Sequence, residues 1–263
     1  MNKYIKNGEF NFKIDTKLYG KFETLRAGDE VFAESGDPTF PLVHWLYLQN
    51  KELTDAKEFL AGKFEYGFVW ESGSVKFHDI FNVGNSCTCK YSIEETGDNS
   101  DHQEIAGLKL NFRIFRRKDL VVEDQTLLKP IDRENEFTGQ KRRLDFDPDW
   151  EIKMTGNEIS TAGKLESELF GLKGTDLLSK PGNSDGKYAI SGPASLMVLL
   201  DSFQHHFTNR QIENAEYRLY STEEADELII AAKDTDAYET VLSIVNKKGQ
   251  MLFRANINWI YVW

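Results

Sequence analysis

The chain has 263 residues, enough for one large domain or two small ones. Its 32 Lys and Arg stand against 43 Asp and Glu, a net charge of −11 that repels phosphate backbones and excludes nucleic acid as the expected partner. Hydrophobic residues make up 40% of the chain, with 18 Phe, 10 Tyr and 5 Trp, so a packed core is expected and extended disorder is not.

In chain order, the N-terminus Met-Asn-Lys-Tyr-Ile-Lys-Asn-Gly lacks the apolar run and small-residue cleavage site of a secretory signal. No stretch of the chain approaches the roughly 18–20 apolar residues that a spanning helix needs, so no membrane partner is expected and the location expected is cytoplasmic. An apolar segment, Phe40–Leu48, precedes a region dominated by β-branched and aromatic residues. There, Ser74–His78, Asn85–Glu94, Ile105–Phe115 and Leu120–Leu128 read as antiparallel strands separated by turn-formers and by the basic tip Arg116-Arg117-Lys118. Cys87 and Cys89 sit two apart within one such strand, a spacing that seldom suits a disulfide, and zinc would need further ligands that are not in sight. Two reduced thiols and no bound metal are expected.

A charged stretch, Asp132 to Arg143, reads as a connector; its basic run Lys141-Arg142-Arg143 is either a solvated link or a phosphate contact. Gly171 to Lys187 reads as a long loop rich in Gly, Ser and Asp. Gly192-Pro193 then opens a helix, with proline where its missing N–H costs nothing, and Leu196, Leu199, Leu200, Phe203 and Phe207 give it one apolar face. Ala215–Tyr220, Glu227–Lys233, Thr240–Asn246 and Met251–Val262 follow as strands. The two halves therefore have the same order, an apolar helical segment and then an antiparallel meander. A double hotdog accounts for both: an α+β fold of two antiparallel sheets, each wrapping a central helix, with an N-terminal unit at 1–133 and a C-terminal unit at 134–263 that begins with the charged connector.

Four local strings in the right order resemble the MaoC-like dehydratases, specifically the double-hotdog hydroxyacyl-thioester dehydratase type 2 and mesaconyl-CoA hydratase group. They are Pro41-Leu42-Val43-His44-Trp45-Leu46-Tyr47, Trp70-Glu71-Ser72-Gly73-Ser74-Val75-Lys76-Phe77-His78, Val83-Gly84-Asn85 and Ser191-Gly192-Pro193-Ala194-Ser195-Leu196. The resemblance covers about residues 38–130 and 188–257. It implies binding of an acyl thioester of coenzyme A or acyl-carrier protein in a tunnel between the units, with reversible addition or loss of water at the α,β-bond. It implies no cofactor, a biosynthetic setting, and is compatible with a homodimer.

One departure bears directly on the chemistry. Active members carry a histidine near the start of the second unit, whereas no histidine lies between His102 and His205 here. His205 and His206 fall about 12 residues into the helix, roughly 18 Å from its start at 1.5 Å per residue. His78 is expected to make a structural hydrogen bond and His102 to sit in an exposed turn. Elimination leaves Glu158, and after it His44, as the expected proton carrier. The start of the helix at Gly192, with its free N–H groups and positive dipole end, is the expected oxyanion site. Ser191 either caps that helix or contacts substrate, Asn157 orients substrate or water, and Trp45 and Trp70 either line the tunnel or pack in the core. Two other readings stay open: a non-catalytic scaffold that binds acyl groups or a carrier protein, and a hotdog enzyme of thioester hydrolysis or cyclisation.

Overall fold

Strand-forming residues dominate the chain, and backbone pairing across them produces the architecture. A computed structural model describes residues 3–13, 68–79, 84–96, 107–130, 142–154, 192–221 and 227–262. The first half supplies β1 (Lys3–Lys13), β2 (Phe68–Phe77), β3 (Ser86–Thr96), β4 (Gly107–Arg116) and β5 (Asp119–Pro130). The second supplies β6 (Arg142–Arg143), β7 (Trp150–Met154), the helix α1 (Gly192–His206), then β8 (Arg210–Leu219), β9 (Leu228–Asp236), β10 (Glu239–Asn246) and β11 (Gln250–Tyr261). The strands expected from sequence are all present, as is the helix at Gly192. β1, β6 and β7 were not anticipated; Arg142 and Arg143, expected in a connector, pair with Met251 and Gln250 of β11.

All strands among the described residues lie in one sheet, in the order β1-β3-β4-β5-β2-β8-β11-β10-β9-β7, with β6 off this path on β11. Leaving aside the two-residue β6, each half read inward from its own edge has the same plan: its first strand, then its third, fourth and fifth, with its second innermost. The expectation of two separate sheets is corrected here. β2 and β8 pair antiparallel, with Gly73 opposite Tyr217 and Val75 opposite Ala215, so the ladder runs unbroken across the seam. The backbone of each innermost strand has an unpaired edge, and pairing the two satisfies both rows of donors and acceptors. The Phe40–Leu48 segment lies outside the described residues.

One face of the sheet carries the core. Leu196, Leu199, Leu200 and Phe203 of α1 are buried, the face that their spacing predicted, and the helix packs on β2, β8, β10 and β11. Cys87 and Cys89 are reduced thiols buried in β3, opposite Phe12 and Phe10 of β1. Burial pushes the Cys87 thiol up to about 11 against the smaller opposing effect of Arg116, so it is neutral at pH 7 and a poor nucleophile or ligand.

The far end of α1 is pinned by Arg210. Its guanidinium lies 3.7 Å from the Phe207 ring centre and 3.9 Å from that of Trp259, and it forks onto Asp234 at 2.9 Å for each bond. Burial alone would raise the Asp234 carboxyl, but hydrogen bonds from Arg210 and Thr240 and the charge of Arg210, with a smaller effect of His206, hold it below its ordinary value of 3.8. A depressed folded value stabilises the fold above the ordinary carboxylate range, and that stability is lost as pH falls through the folded value. Asp234→Asn should therefore melt below wild type at pH 7, with the gap closing as pH falls below the ordinary carboxylate value. A gap that stays constant over that range would show that the ion pair contributes nothing.

Candidate functional site

The start of α1 is pressed onto β2. Gly192 is buried, and a Cβ added there would lie 2.6 Å from the Trp70 Cβ and 3.3 Å from its Cγ. Only a residue without a side chain lets the helix begin this close to the strand. The first turn contains no Asp or Glu, so no carboxylate of the turn itself neutralises the positive end of the dipole there. The first N–H groups of any helix lack intrahelical partners, which makes this end a ready donor set for a developing oxyanion.

Trp70 reaches this position through a bulge. The β2–β5 register shifts between Trp70 and Ser72, pairing Trp70 with Leu128 and Gly73 with Thr126. The extra residue, Glu71, forms a 2.6 Å ion pair with Lys129. As a result Trp70 and Gly73 share the α1 face, although strict alternation would place them on opposite faces. Trp70 is 1% exposed and stacks on Tyr217 with ring centres 6.0 Å apart; Tyr217 in turn stacks on Phe253 at 6.1 Å.

The phenol of Tyr217 lies across Gly73, filling the place a side chain would take, and its oxygen is 2.8 Å from Thr126 Oγ1. Thr126 donates to Asp124 Oδ2 at 3.2 Å. All three are buried, Asp124 at 4% exposure. On β5 the core face reads Val122, Asp124, Thr126, Leu128, so two polar residues stand in an otherwise apolar row. Sequence reasoning missed this cluster. The signal was there, in polar residues at i and i+2 flanked at the same spacing by Val and Leu.

The structure thus brings together two of the residues singled out from sequence, Gly192 and Trp70. His44, Trp45, Asn157, Glu158 and Ser191 lie outside the described residues. His78 bonds to Glu123 at 3.1 Å, as its expected structural role requires. His206 stacks on Trp150 with ring centres 4.4 Å apart at the opposite end of α1 from Gly192. Among the described residues no cluster of His, Cys, Asp or Glu has the arrangement to hold a metal ion, and no helix is long and apolar enough to cross a membrane.

The opposite face of the sheet is polar. A groove of about 760 Å³ crosses the seam there, bordered by Lys109, Arg142, Arg218 and Arg254 with Asp145 and Glu216. Glu216 and Arg218 are exposed, whereas Ala215 and Tyr217 beside and between them are buried, so the Glu216 and Arg218 side chains point away from α1. Arg254 is held by Asp145 at 3.1 Å.

No family model matches the chain, and no curated protein matches it in sequence. Solved structures do match in fold. HtdX of Mycobacterium tuberculosis superposes with a TM-score of 0.64 at 11% identity, covering 97% of this chain and 100% of that one. A MaoC-like dehydratase from Phytophthora capsici gives 0.61 at 10% identity, over 97% and 95% of the two chains. The 12:0-ACP thioesterase from Umbellularia californica gives 0.61 at 10% identity, over 97% and 98%. The likeness is one of fold: the chain has the hotdog fold that these structures share.

Proposed function

We propose that this chain is a double hotdog, with units at 1–133 and 134–263, that acts on acyl thioesters of coenzyme A or acyl-carrier protein as a dehydratase or hydratase. The observation that carries the reading is the start of α1, closed against Trp70 by a glycine, free of first-turn carboxylates and flanked by a stack of buried aromatic rings. Such a site offers a carbonyl oxygen backbone donors and offers an acyl chain an apolar wall. The repeated strand order supports the doubled fold. Dehydration also needs a proton at the departing β-oxygen, and we assign that to Glu158, with His44 as second choice and Asn157 as an orienting group. Ser191 and Trp45 complete the proposed binding residues.

Hydrolysis of the thioester is the second reading. It is favoured by the fold shared with an acyl-ACP thioesterase and by the lack of any histidine between His102 and His205. The two reactions separate in one assay: a 3-hydroxyacyl-CoA is incubated with the protein while enoyl product and free thiol are followed in parallel. Enoyl product is the expected result, and Glu158→Gln should lower its rate by about 10²–10⁴-fold. Free thiol without enoyl product would replace dehydration by hydrolysis. Binding with no turnover would make the chain a scaffold.

A further inference from the structure

The groove at the seam concentrates positive charge in a chain whose net charge is −11. Lys109, Arg142, Arg218 and Arg254 border it against two carboxylates, Asp145 and Glu216. Its volume of about 760 Å³ lies in the range of ligand sites and far exceeds what one phosphoryl group fills. Register puts two of the arginines side by side. Arg218 is directly opposite Arg254 across the β8–β11 ladder, and Ser72 of β2 is directly opposite Arg218 across the seam. Residues opposite one another share a face, so the three line the groove from neighbouring strands.

Like charges directly opposite in a ladder destabilise it. Asp145 neutralises only one of the pair: both its oxygens accept from Arg254 Nη1 at 3.1 Å, while Arg254 Nε donates to Asn256 at 3.2 Å. Arg218 is exposed and, among the described residues, has no hydrogen-bond or ion-pair partner. A chain with 43 Asp and Glu against 32 Lys and Arg has acids in surplus, and an acid opposite Arg254 would remove the repulsion. The third guanidinium, of Arg142, lies 5.7 Å from the centre of the Tyr220 ring, two residues along the chain from Arg218. Arg142 belongs to the basic run Lys141-Arg142-Arg143, and its pairing with Met251 of β11 fixes it beside the groove.

We propose that this groove binds a ligand carrying a diphosphate group, held by Arg142, Arg218 and Arg254 with the Ser72 hydroxyl as a neutral donor. A planar guanidinium meets phosphoryl oxygens through paired N–H groups, which suits arginine to this task. Neighbouring strands lie about 4.8 Å apart, so guanidiniums from β6, β8 and β11 spread over a length that two linked phosphoryl groups fill better than one. The groove continues across β2 and β5 toward Lys109, which leaves room for the organic part of the ligand. The Tyr220 ring offers no stacking surface, being 8% exposed and faced by Arg142, so recognition is of the phosphoryl oxygens. Arg218 points away from α1 and Gly192, and the site does not depend on the dehydratase reading.

The test is isothermal titration calorimetry of the full chain at low ionic strength with inorganic pyrophosphate, ADP, orthophosphate and sulfate. Arg218→Gln and Glu216→Gln are compared with wild type, and thermal melts confirm that each variant is folded. Neither side chain has a partner among the described residues, so both variants should fold as wild type does. The expected result is binding of pyrophosphate and ADP that weakens with added salt. Arg218→Gln should bind pyrophosphate about 10–100-fold more weakly, and Glu216→Gln about two- to fivefold more tightly. ADP binding more tightly than pyrophosphate marks a nucleotide as the ligand, whereas equal or weaker ADP binding marks the diphosphate alone; both support the site. A Kd above about 1 mM for both compounds overturns it. So does sulfate or orthophosphate binding as tightly as pyrophosphate, or a pyrophosphate affinity that Arg218→Gln leaves unchanged.

Discussion

Phe203→Ala should lower the stability of the fold by about 3–5 kcal/mol, the range for removing a large buried aromatic side chain. Phe203 has no exposed surface, lies on the face of α1 that meets the sheet and packs against Phe207 with ring centres 5.2 Å apart. Alanine would leave a cavity that the eleven-stranded sheet cannot collapse into without breaking backbone pairs. For a chain of this size each kcal/mol moves the midpoint by roughly 2–4 °C, so a melt should fall by about 10 °C. Phe207→Ala, at a half-buried position past the end of the helix, should fall by less. Equal losses at both positions would mean that the helix is not seated on the sheet as described.

Gly192→Val has the next largest effect, and for a different reason than the sequence provides. From sequence, a side chain at 192 blocks the approach of a carbonyl. In the structure its Cβ would first meet the Trp70 Cβ at 2.6 Å, an atom fixed to the β2 backbone. Either the helix start lifts or the strand gives way, and overpacking of this kind costs about 1–3 kcal/mol. The variant should therefore lose both stability and acyl-thioester turnover, and Gly192→Ala should show the same two losses to a smaller degree. A Gly192→Val protein with the wild-type melting midpoint would show that the helix start and Trp70 are not in contact.

The sequence alone determined the period-two strands between 74 and 128 and between 215 and 262, the apolar face of α1 and its start at Gly192-Pro193. Those features depend on neighbours a few residues apart, whose preferences are local. It also placed Cys87 and Cys89 as reduced thiols and His78 in a structural bond. Two features needed the tertiary fold. Strict alternation puts Trp70 with Ser72 and Ser74 on the exposed side, and only the bulge at Glu71, set by pairing with β5 and the ion pair to Lys129, turns the indole toward α1. Likewise Thr126 and Tyr217 are 91 residues apart and bond only because β2 and β8 join across the seam. A single sheet rather than two, and a polar chain within its core face, follow from backbone edges finding each other over distances that no local spacing records.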